Sequence, residues 1–567
     1  MRMNVTHEIA TLLANELNEQ LSPERIELLL EVPKHSKMGD LAFPCFELAK
    51  AFKKSPASIA GELSIHIQPS PSVVSHIEAV GPYVNFFFNK ASFTEEVLAA
   101  VQTKGNLYGG HTFGNDKTIT MDLSSPNIAK PFSMGHLRST VIGNAVGNIL
   151  EKCGYTGACL NYLGDWGTQF GKLIAAYKLW GVEGKVRANP IQELLKLYVK
   201  FHDEAKEDPS LEELGRSWFV KLEQGDQEAT ELWEWFREES LHSFGSIYDL
   251  LNVSFDSYKG ESSFHMHSEE ILTMLKEKSL LEKSDGALVV RLDDEGMPPA
   301  LIQKSDGTTL YTTRDLAAAI YRKETYNHAA SLYVVGNEQS LHFKQLRAVL
   351  KKMGYNWADE IMHVPFGMML KDGKKMSTRK GKVVFLDEAL QKSIQFAKEN
   401  IEEKNPDLNQ KEEVAQKVGV GAVIFHDLKN DRMNDVEFSY EEMLKFEGNT
   451  APYLQYTYAR AKSVLKKAEG VTTHYSFKEE DWEYAWSVVQ KVAAFPEVIE
   501  QAAIHYDPSK VAKYLLKLGQ AFNSYYANVR ILEEGPYLGG RLALTETVAI
   551  VIWEGLSLLG IEVPEEM

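Results

Sequence analysis

The sequence predicts a multidomain α/β plus all-α protein. We expect a small amino-terminal α/β domain, a Rossmann-like parallel-sheet domain with a helical insertion, and a carboxyl-terminal helical bundle. The chain has 567 residues, which is too many for one hydrophobic core. Strand and helix patterns alternate through residues 116–385, as is typical of a parallel sheet with helical crossovers. Beyond about residue 385 strand patterns almost vanish, and amphipathic helices continue to the end.

The first domain is predicted over residues 1–115. Apolar residues share one helical face in residues 5–21, and residues 83–88 (YVNFFF) are typical of a strand. Residues 105–115 are rich in glycine and are interpreted as a linker.

The second domain is predicted over residues 116–385, with an acidic helical insertion at about 185–285. A strand is expected at residues 118–123, followed by a polar turn and a helix that starts near Ser133 and stops at Gly154. Further strands are expected at residues 157–163, 288–292, 331–335 and 362–369, the last three as a resumption of the β/α alternation. Residues 386–567 form the predicted helical bundle.

Composition excludes some classes of protein and leaves others open. No apolar run reaches the roughly 20 residues that span a bilayer, and the amino terminus lacks the apolar stretch of a signal peptide, so we expect a cytoplasmic protein. The three cysteines form no CxxC pair, so no zinc site is expected. The net charge of −18 fits an acidic metabolic enzyme, but it also fits an RNA-binding enzyme with local basic patches.

Two segments carry the chemistry. The first motif, residues 122–138 (DLSSPNIAKPFSMGHLR), places a polar turn and a helix start after a strand. Free N–H groups at such a helix start attract phosphates, although an ordinary capped helix start has the same pattern. The second motif, residues 371–382 (KDGKKMSTRKGK), is cationic and rich in glycine, which suits a polyphosphate but is also typical of a solvated loop. Both follow strands of one α/β region, whose carboxyl edge is where open parallel sheets bind nucleotides.

The pair of motifs resembles the HIGH and KMSKS signatures of class I aminoacyl-tRNA synthetases. They stand here as Ser-Met-Gly-His at residues 133–136 and Lys-Met-Ser-Thr-Arg at residues 375–379. The wider string SSPNIAKPFSMGHLRST is similar to the version found in arginyl-tRNA synthetases. So are NYLGDWGTQFGKL at 161–173, LYTTRDLAAA at 310–319 and GNTAPYLQYTYAR at 448–460.

The resemblance implies an ATP site and shows two departures from the family pattern. The implied ATP-binding residues are Ser133, Gly135, His136, Met376 and Ser377. Ser133 replaces the first histidine of HIGH, and Thr378 replaces a lysine that stabilises the pyrophosphate leaving group. In arginyl enzymes a lysine just before HIGH can take this role, and Lys130 occupies that position. The implied catalytic residues are therefore Lys130, His136 and Lys375.

The resemblance also implies a pocket for arginine. The always-charged guanidinium needs carboxylates and amide oxygens. The implied arginine-binding residues are Asp122, Asn127, Tyr311, Asp315 and Gln339. Asp315 is expected to pair with the guanidinium, and Asp122 and Asn127 to hold the α-amino group or nearby backbone. A helix cap or a salt bridge to Arg314 or Arg322 is the alternative role for Asp315.

In the helical bundle, tyrosines alternate with cations in two segments. Aromatic rings can stack on unpaired bases while cations contact phosphates, although a single tyrosine more often belongs to a core. The family resemblance implies that this bundle reads the anticodon. The implied tRNA-binding residues are Tyr453, Tyr456, Arg460, Asn523 and Tyr526.

The expected function is arginine activation by ATP, which gives arginyl-adenylate, followed by transfer to the 3′-terminal adenosine of tRNA(Arg). The implied partners are arginine, ATP with Mg²⁺, and tRNA(Arg), with no metal held by the protein alone. A monomer is expected. Three alternatives stay open at this point: a class I synthetase for another amino acid, a small-molecule nucleotidyltransferase, and a non-catalytic tRNA-binding relative.

Overall fold

The computed structural model describes residues 2–305, 311–375, 385–445, 447–468, 470 and 475–567. Of residues 2–4, 36, 311 and 375 it describes the backbone only. Met376 and Ser377, two of the expected ATP-binding residues, lie outside the described residues.

The chain begins with a small α/β domain. Its elements are α1 Arg2–Glu16, α2 Pro23–Leu29, β1 Leu41–Pro44, α3 Ala49–Phe52, α4 Pro56–His66, β2 Val74–Val80, β3 Tyr83–Phe88 and α5 Lys90–Lys104. The three strands form an antiparallel sheet in the order β1-β3-β2. Polar caps define the helix starts: Ser22 and Ser55 each accept a backbone N–H of the helix that follows, and each helix has proline in its first turn.

The parallel-sheet region opens with β4 Thr118–Asp122, α6 Met134–Lys152, β5 Thr156–Leu160 and α7 Thr168–Trp180. As predicted, α6 starts directly after Ser133. Gly154, whose φ is +85°, follows its end, and glycine adopts this left-handed conformation without steric cost. The turn between β4 and α6 is irregular, because Ser124, Ser125 and Ala129 also have positive φ.

A helical insertion follows, with α8 Glu183–Ala188, α9 Pro190–Glu207, α10 Ser210–Glu223 and α11 Gln227–Leu251. These helices pack around α7 and bury an aromatic-rich core of their own, which includes Phe201, Trp218 and Phe236. The short helices α12 Glu261–His265 and α13 Ser268–Glu277 lead out of it.

One predicted strand belongs to a different sheet from the one expected. The strand expected at residues 288–292 is found as β7 Ala287–Val290, but it lies in a separate antiparallel sheet between β6 Leu281–Ser284 and β8 Ala300–Gln303. The expectation that it continues the parallel sheet is therefore wrong. The tight turn at Asp285 and Gly286, both with positive φ, joins β6 to β7 directly, and so short a connection permits only antiparallel pairing.

The parallel sheet is completed by α14 Tyr311–Tyr326, β9 Ala330–Gly336, α15 Ser340–Lys352 and β10 Ile361–Phe366. Its four strands are all parallel, in the order β10-β9-β4-β5. The chain connections run from β4 to β5 on one side and from β9 to β10 on the other. Ligands are therefore expected beyond the carboxyl end of β4, where the direction changes.

The rest of the chain is a hairpin followed by helices. The hairpin consists of β11 Met369–Lys371 and β12 Lys374–Lys375. The elements after it are α16 Leu386–Lys404, α17 Lys411–Leu428, β13 Val436–Glu437, α18 Tyr440–Met443, α19 Ala451–Lys466, α20 Trp482–His505, α21 Ser509–Asn528 and α22 Leu538–Leu558. In the described ranges, no helix has both the length and the apolar character needed to span a membrane.

The amino-terminal domain is joined to the helical bundle through a buried carboxylate. Asp40 Oδ1 accepts hydrogen bonds from Trp486 Nε1 at 2.8 Å and Gln490 Nε2 at 2.7 Å, and Asp40 Oδ2 accepts one from the Phe88 N–H. The expected linker also contacts the bundle, because the Tyr108 hydroxyl donates to the Val492 carbonyl. One apolar cluster runs without a break from α1 through α6 to α22.

A second buried polar contact joins α6 to the hairpin and the bundle. The Arg138 guanidinium is 1% exposed; its Nε donates to Asp427 Oδ2 at 2.9 Å, and its Nη1 donates to the Asn434 carbonyl at 2.8 Å. Asn434 precedes β13, which pairs in parallel with β11. Arg138 therefore fixes the helix of the first motif against the strands that lead into the second motif.

Candidate functional site

The turn after β4 is held in an unusual conformation by the helices around it. The Ser124 N–H donates to Ser139 Oγ of α6, the Ser124 hydroxyl lies 2.8 Å from the Tyr248 hydroxyl of α11, and the Ala129 N–H donates to Ser240 Oγ. Ser124 and Ala129 both have positive φ, a conformation that costs free energy in residues other than glycine and needs such surrounding contacts. The insertion helix α11 thus shapes the loop that precedes Ser133.

His136 is fixed in one tautomer at the start of α6. The Ser133 N–H donates to His136 Nδ1 at 3.1 Å. A backbone N–H can only donate, so Nδ1 is the acceptor and the neutral ring carries its proton on Nε2. Burial is the main cause that lowers the pKa of His136, to about 4, and the positive charge of Lys130 also lowers it. At neutral pH His136 therefore offers an uncharged N–H donor.

The first turn of α6 is open to a ligand. Gly135 is exposed, and a Cβ there would make only an ordinary contact with Ser133 Oγ, so packing does not require a glycine. A glycine in this position lets a ligand approach the backbone N–H groups at the positive end of the helix dipole.

The chain that follows the second motif contacts the start of α6. Lys375 is the last residue of β12, and the Phe385 backbone forms an antiparallel bridge with Ser133. The Leu386 N–H also donates to the Phe132 carbonyl at 2.9 Å. Although 376–384 are not described, the chain on their carboxyl side contacts the residue that caps α6.

Lys130 lies in the same region, between α6 and the insertion. Its ammonium is 5.8 Å from the centre of the Tyr198 ring of α9, within the range of a cation–π contact. It is close enough to lower the pKa of His136, so the cation and the imidazole share one electrostatic environment.

The arginine-binding candidates lie in two groups. Asp122 is buried at the end of β4, where Oδ2 pairs with Arg322 Nη2 at 2.7 Å and Oδ1 accepts the Ser125 hydroxyl at 2.6 Å. The Arg322 guanidinium lies over the rings of Tyr162 and Tyr333. Both oxygens of Asp122 are thus engaged by protein groups.

Asp315 forms the second group, on α14. Its Oδ2 lies 2.7 Å from His342 Nε2 of α15, and the carboxylate is 18% exposed. Gln339 is exposed in the turn before α15, and Tyr311 is the first residue of α14, four residues before Asp315. Asn127 packs against the next loop, since a Cβ at Gly164 would overlap its Oδ1.

The structure adds one residue that the sequence did not indicate. Glu261, at the start of α12, pairs with Arg314 Nη2 at 3.0 Å and is close enough to Asp315 for the two charges to interact. No helical or strand spacing connects residue 261 with residue 315. A glutamate after Gly260 in the string YKGESS was the only local signal.

All five tRNA-binding candidates meet in one place, which we call the tyrosine–arginine groove. The Arg460 guanidinium lies 4.7 Å from the ring centres of both Tyr456 and Tyr526, and its Nη1 donates to Asn523 Oδ1 at 2.9 Å. The Asn523 amide donates in turn to the Tyr453 hydroxyl at 2.9 Å. Tyr456 and Tyr526 are 42% and 38% exposed, so their outer faces can take a further planar group.

Two adjoining cavities of about 620 and 750 Å³ open onto this groove. Their walls carry several cations together with the carboxylates of Glu447, Glu565 and Glu566. The lining includes Lys404, Lys462, Lys466, Lys467 and Met567. Aromatic faces beside cations are the combination that binds single-stranded nucleic acid.

Comparison with known proteins gives consistent matches over the whole chain. Residues 97–440 match the family of tRNA synthetases class I (R), catalytic domain, residues 454–567 match the DALR anticodon binding domain, and residues 7–88 match the arginyl tRNA synthetase N terminal domain. The chain is 56% identical to arginine--tRNA ligase 1 of Bacillus cereus and 55% identical to arginine--tRNA ligase of Enterococcus faecalis, each over 100% of both chains. The solved arginyl-tRNA synthetase of Thermus thermophilus matches with a TM-score of 0.80 and 28% identity, covering 99% of both chains.

The geometry of His136 predicts its titration. Because burial holds the pKa near 4, the ring should stay neutral as the pH falls from 8 to 5 and gain its second proton, on Nδ1, only around pH 4. The unfolded chain binds that proton near pH 6.5, so the contribution of His136 to stability is complete above pH 6.5 and is lost as the pH falls towards 4. Histidine NMR of the protein, with His136→Gln to assign the signal, measures this directly. A midpoint above 6 would show that burial does not keep the ring neutral in this pH range.

Proposed function

The chain belongs to the arginyl-tRNA synthetases of class I and ligates arginine to tRNA(Arg), and we propose the following roles for its residues in that reaction. The single observation that supports the proposal is the bridge between Ser133 and Phe385, since Phe385 follows the second motif by three residues and its backbone pairs with the residue before α6. The carboxylates Asp122, Asp315 and Glu261 lie near the end of β4.

We propose that ATP binds at the start of α6, with Ser133, Gly135 and His136 on one side and Lys375, Met376 and Ser377 on the other. A carboxylate oxygen of arginine attacks the α-phosphorus, the bond to pyrophosphate breaks, and arginyl-adenylate forms. A hydroxyl of the terminal adenosine of tRNA then attacks the acyl carbon and releases AMP. His136 contributes a neutral N–H donor, and the helix end contributes backbone N–H groups, so charge builds up next to fixed dipoles.

The described residues contain no cluster of three or more His, Cys, Asp or Glu side chains arranged to hold a metal ion. We propose that Mg²⁺ arrives on the phosphates of ATP, a common way for enzymes to use this ion. When bound, it neutralises phosphate charge.

Lys130 is proposed to replace the cation that Thr378 lacks. It lies between α6 and α9 and is close enough to His136 to affect its pKa. A cation there stabilises negative charge on the phosphates as pyrophosphate leaves.

For the amino acid, we propose that Asp315 and Glu261 receive the guanidinium, with Tyr311 and Gln339 completing the pocket and Asn127 near the α-amino group. Asp122 was expected to contact arginine. Because Arg322 and Ser125 occupy its two oxygens, we propose that it orients the pocket through Arg322 instead.

The tyrosine–arginine groove is the proposed site for unpaired bases of the anticodon loop. The exposed faces of Tyr456 and Tyr526 supply stacking surfaces, and Arg460 and the lysines around the cavities supply positive charge. As an enzyme of translation with a complete set of domains for this reaction, the protein is further proposed to act as a cytoplasmic monomer.

Replacing Lys130 tests the catalytic assignment and the alternative of a non-catalytic relative. Lys130→Ala should lower kcat for ATP–pyrophosphate exchange with tRNA present by about 100-fold, because a charge-stabilising group is lost from the transition state. Binding of tRNA should stay within about twofold, since a single phosphate contact contributes little to a large interface. Lys178→Ala, which removes an exposed lysine of α7 paired with Glu228, is the matched control. If kcat is unchanged, Lys130 does not replace the cation that is missing at Thr378.

Replacing Asp315 tests the arginine pocket. Asp315→Asn should raise the KM for arginine at least about tenfold, because a charge-assisted hydrogen bond becomes a neutral one. The KM for ATP should not change. Asp294→Asn, at an exposed aspartate paired with Lys352, controls for loss of charge alone. If the two variants have equal KM values for arginine, Asp315 does not bind the guanidinium.

The groove is tested with a pair of variants at Tyr456. Tyr456→Ala should raise the KM for tRNA(Arg) about tenfold while Tyr456→Phe stays within about twofold, because stacking on a base depends on the ring and not on the hydroxyl. Arginylation kinetics at varied tRNA concentration give both values. If the alanine variant matches the wild type, the groove does not bind tRNA.

A further inference from the structure

Four charged groups act on the buried Tyr162 hydroxyl. The carboxylates Asp315 and Glu261 and the guanidinium groups of Arg314 and Arg322 all influence its pKa, which burial raises well above the ordinary value. Asp122 joins the cluster through Arg322. With Glu261 ionised, these three carboxylates and two guanidinium groups carry one net negative charge, which a substrate guanidinium would balance.

Arg314 and Asp315 are consecutive residues of α14 that point to different partners. Neighbours on a helix differ in direction by about 100°, so Arg314 reaches α12 while Asp315 reaches His342 of α15. Arg314 Nη2 lies 3.0 Å from Glu261 Oε2, and the two side chains are 12% and 22% exposed. The contact is thus largely shielded from water, where an ion pair is screened little.

We propose that Arg314 is a positioning residue: it holds the Glu261 carboxylate ionised and aimed beside Asp315, so that the pocket presents two carboxylates to one substrate guanidinium. This inference rests on the proposed arginine pocket. A carboxylate accepts several hydrogen bonds, so the bond from Arg314 to Oε2 leaves Glu261 able to accept others.

Without Arg314 the charges around Glu261 would all be unfavourable. Asp315 approaches it from α14, and Asp165, which is itself paired with Arg237 of α11, approaches it from the loop before α7. Asp165 and Asp315 both raise the pKa of Glu261, and Arg314 is the cation that lowers it. Burial is the largest cause and brings the pKa to about 7 even with Arg314 present.

The consequence is a pH dependence of arginine binding. Protonation of Glu261 removes one negative charge from the guanidinium site, so the KM for arginine should rise as the pH falls below about 7. When Arg314 is replaced by a neutral residue, Glu261 takes up its proton at higher pH. The rise in KM should then begin at a higher pH.

The experiment measures KM for arginine and for ATP from pH 6 to 9, by ATP–pyrophosphate exchange with tRNA(Arg) present. In Arg314→Gln the midpoint of the arginine KM profile should move up by at least about one pH unit, and KM at pH 7.5 should rise about tenfold, with KM for ATP unchanged. Arg314→Lys, which keeps the charge, should recover most of the wild-type profile. Lys323→Met, which breaks the ion pair between Lys323 of α14 and Glu360, is the control and should keep the wild-type pH profile.

Glu261→Gln keeps the test decisive if Arg314→Gln folds poorly. It removes the titrating group, so arginine KM should be high at every pH and the rise below pH 7 should disappear. An Arg314→Gln profile with the wild-type midpoint, or a Glu261→Gln variant that keeps the rise below pH 7, would overturn the inference. If Asp315→Asn raises arginine KM in that case, the pocket stands and only the role of Arg314 falls; if Asp315→Asn has no effect either, the pocket itself is misplaced.

Discussion

The buried pair of Arg138 and Asp427 is the contact on which the site depends. A guanidinium that is 1% exposed must satisfy its donors inside the protein, and Arg138 does so with one carboxylate and with carbonyls of the segment before β13. These partners lie almost 300 residues further along the chain. Helix α6 carries His136 two residues before Arg138, and β13 pairs with the hairpin that ends at Lys375. The Arg138 side chain therefore links the helix of the first motif to the strands at the start of the second motif.

Local signals in the sequence predicted local structure well. Thr118–Asp122, the helix from Met134 and its end before Gly154 follow from apolar patterns, a capping serine and a glycine with positive φ. The placement of β7 was missed because apolar alternation reveals a strand but not its partner. Its partner was encoded in the turn at Asp285 and Gly286, whose short length permits only an antiparallel neighbour.

Site residues were harder to assign from sequence when their partners are distant. Asp122 and Arg322 are 200 residues apart, and nothing in the spacing of either indicates that they pair. The family resemblance selected Asp315 but gave no information on Glu261 or its pairing with Arg314. By contrast, the five bundle residues were selected as separate tyrosines, cations and amides, and they are hydrogen-bonded or stacked in a single network. A tyrosine is ambiguous alone, because burial and ligand contact favour the same residue type.

The carboxylate of Asp40 has a consequence for how the chain can be divided. It binds two donors of α20 and the backbone of β3, and the apolar cluster continues across the same boundary. Removal of the first hundred residues would leave the indole N–H of Trp486 without its acceptor and would expose buried surface of α20 to solvent. We therefore expect the amino-terminal domain and the helical bundle to unfold together as one cooperative unit, with no independent unfolding at the boundary near residue 115.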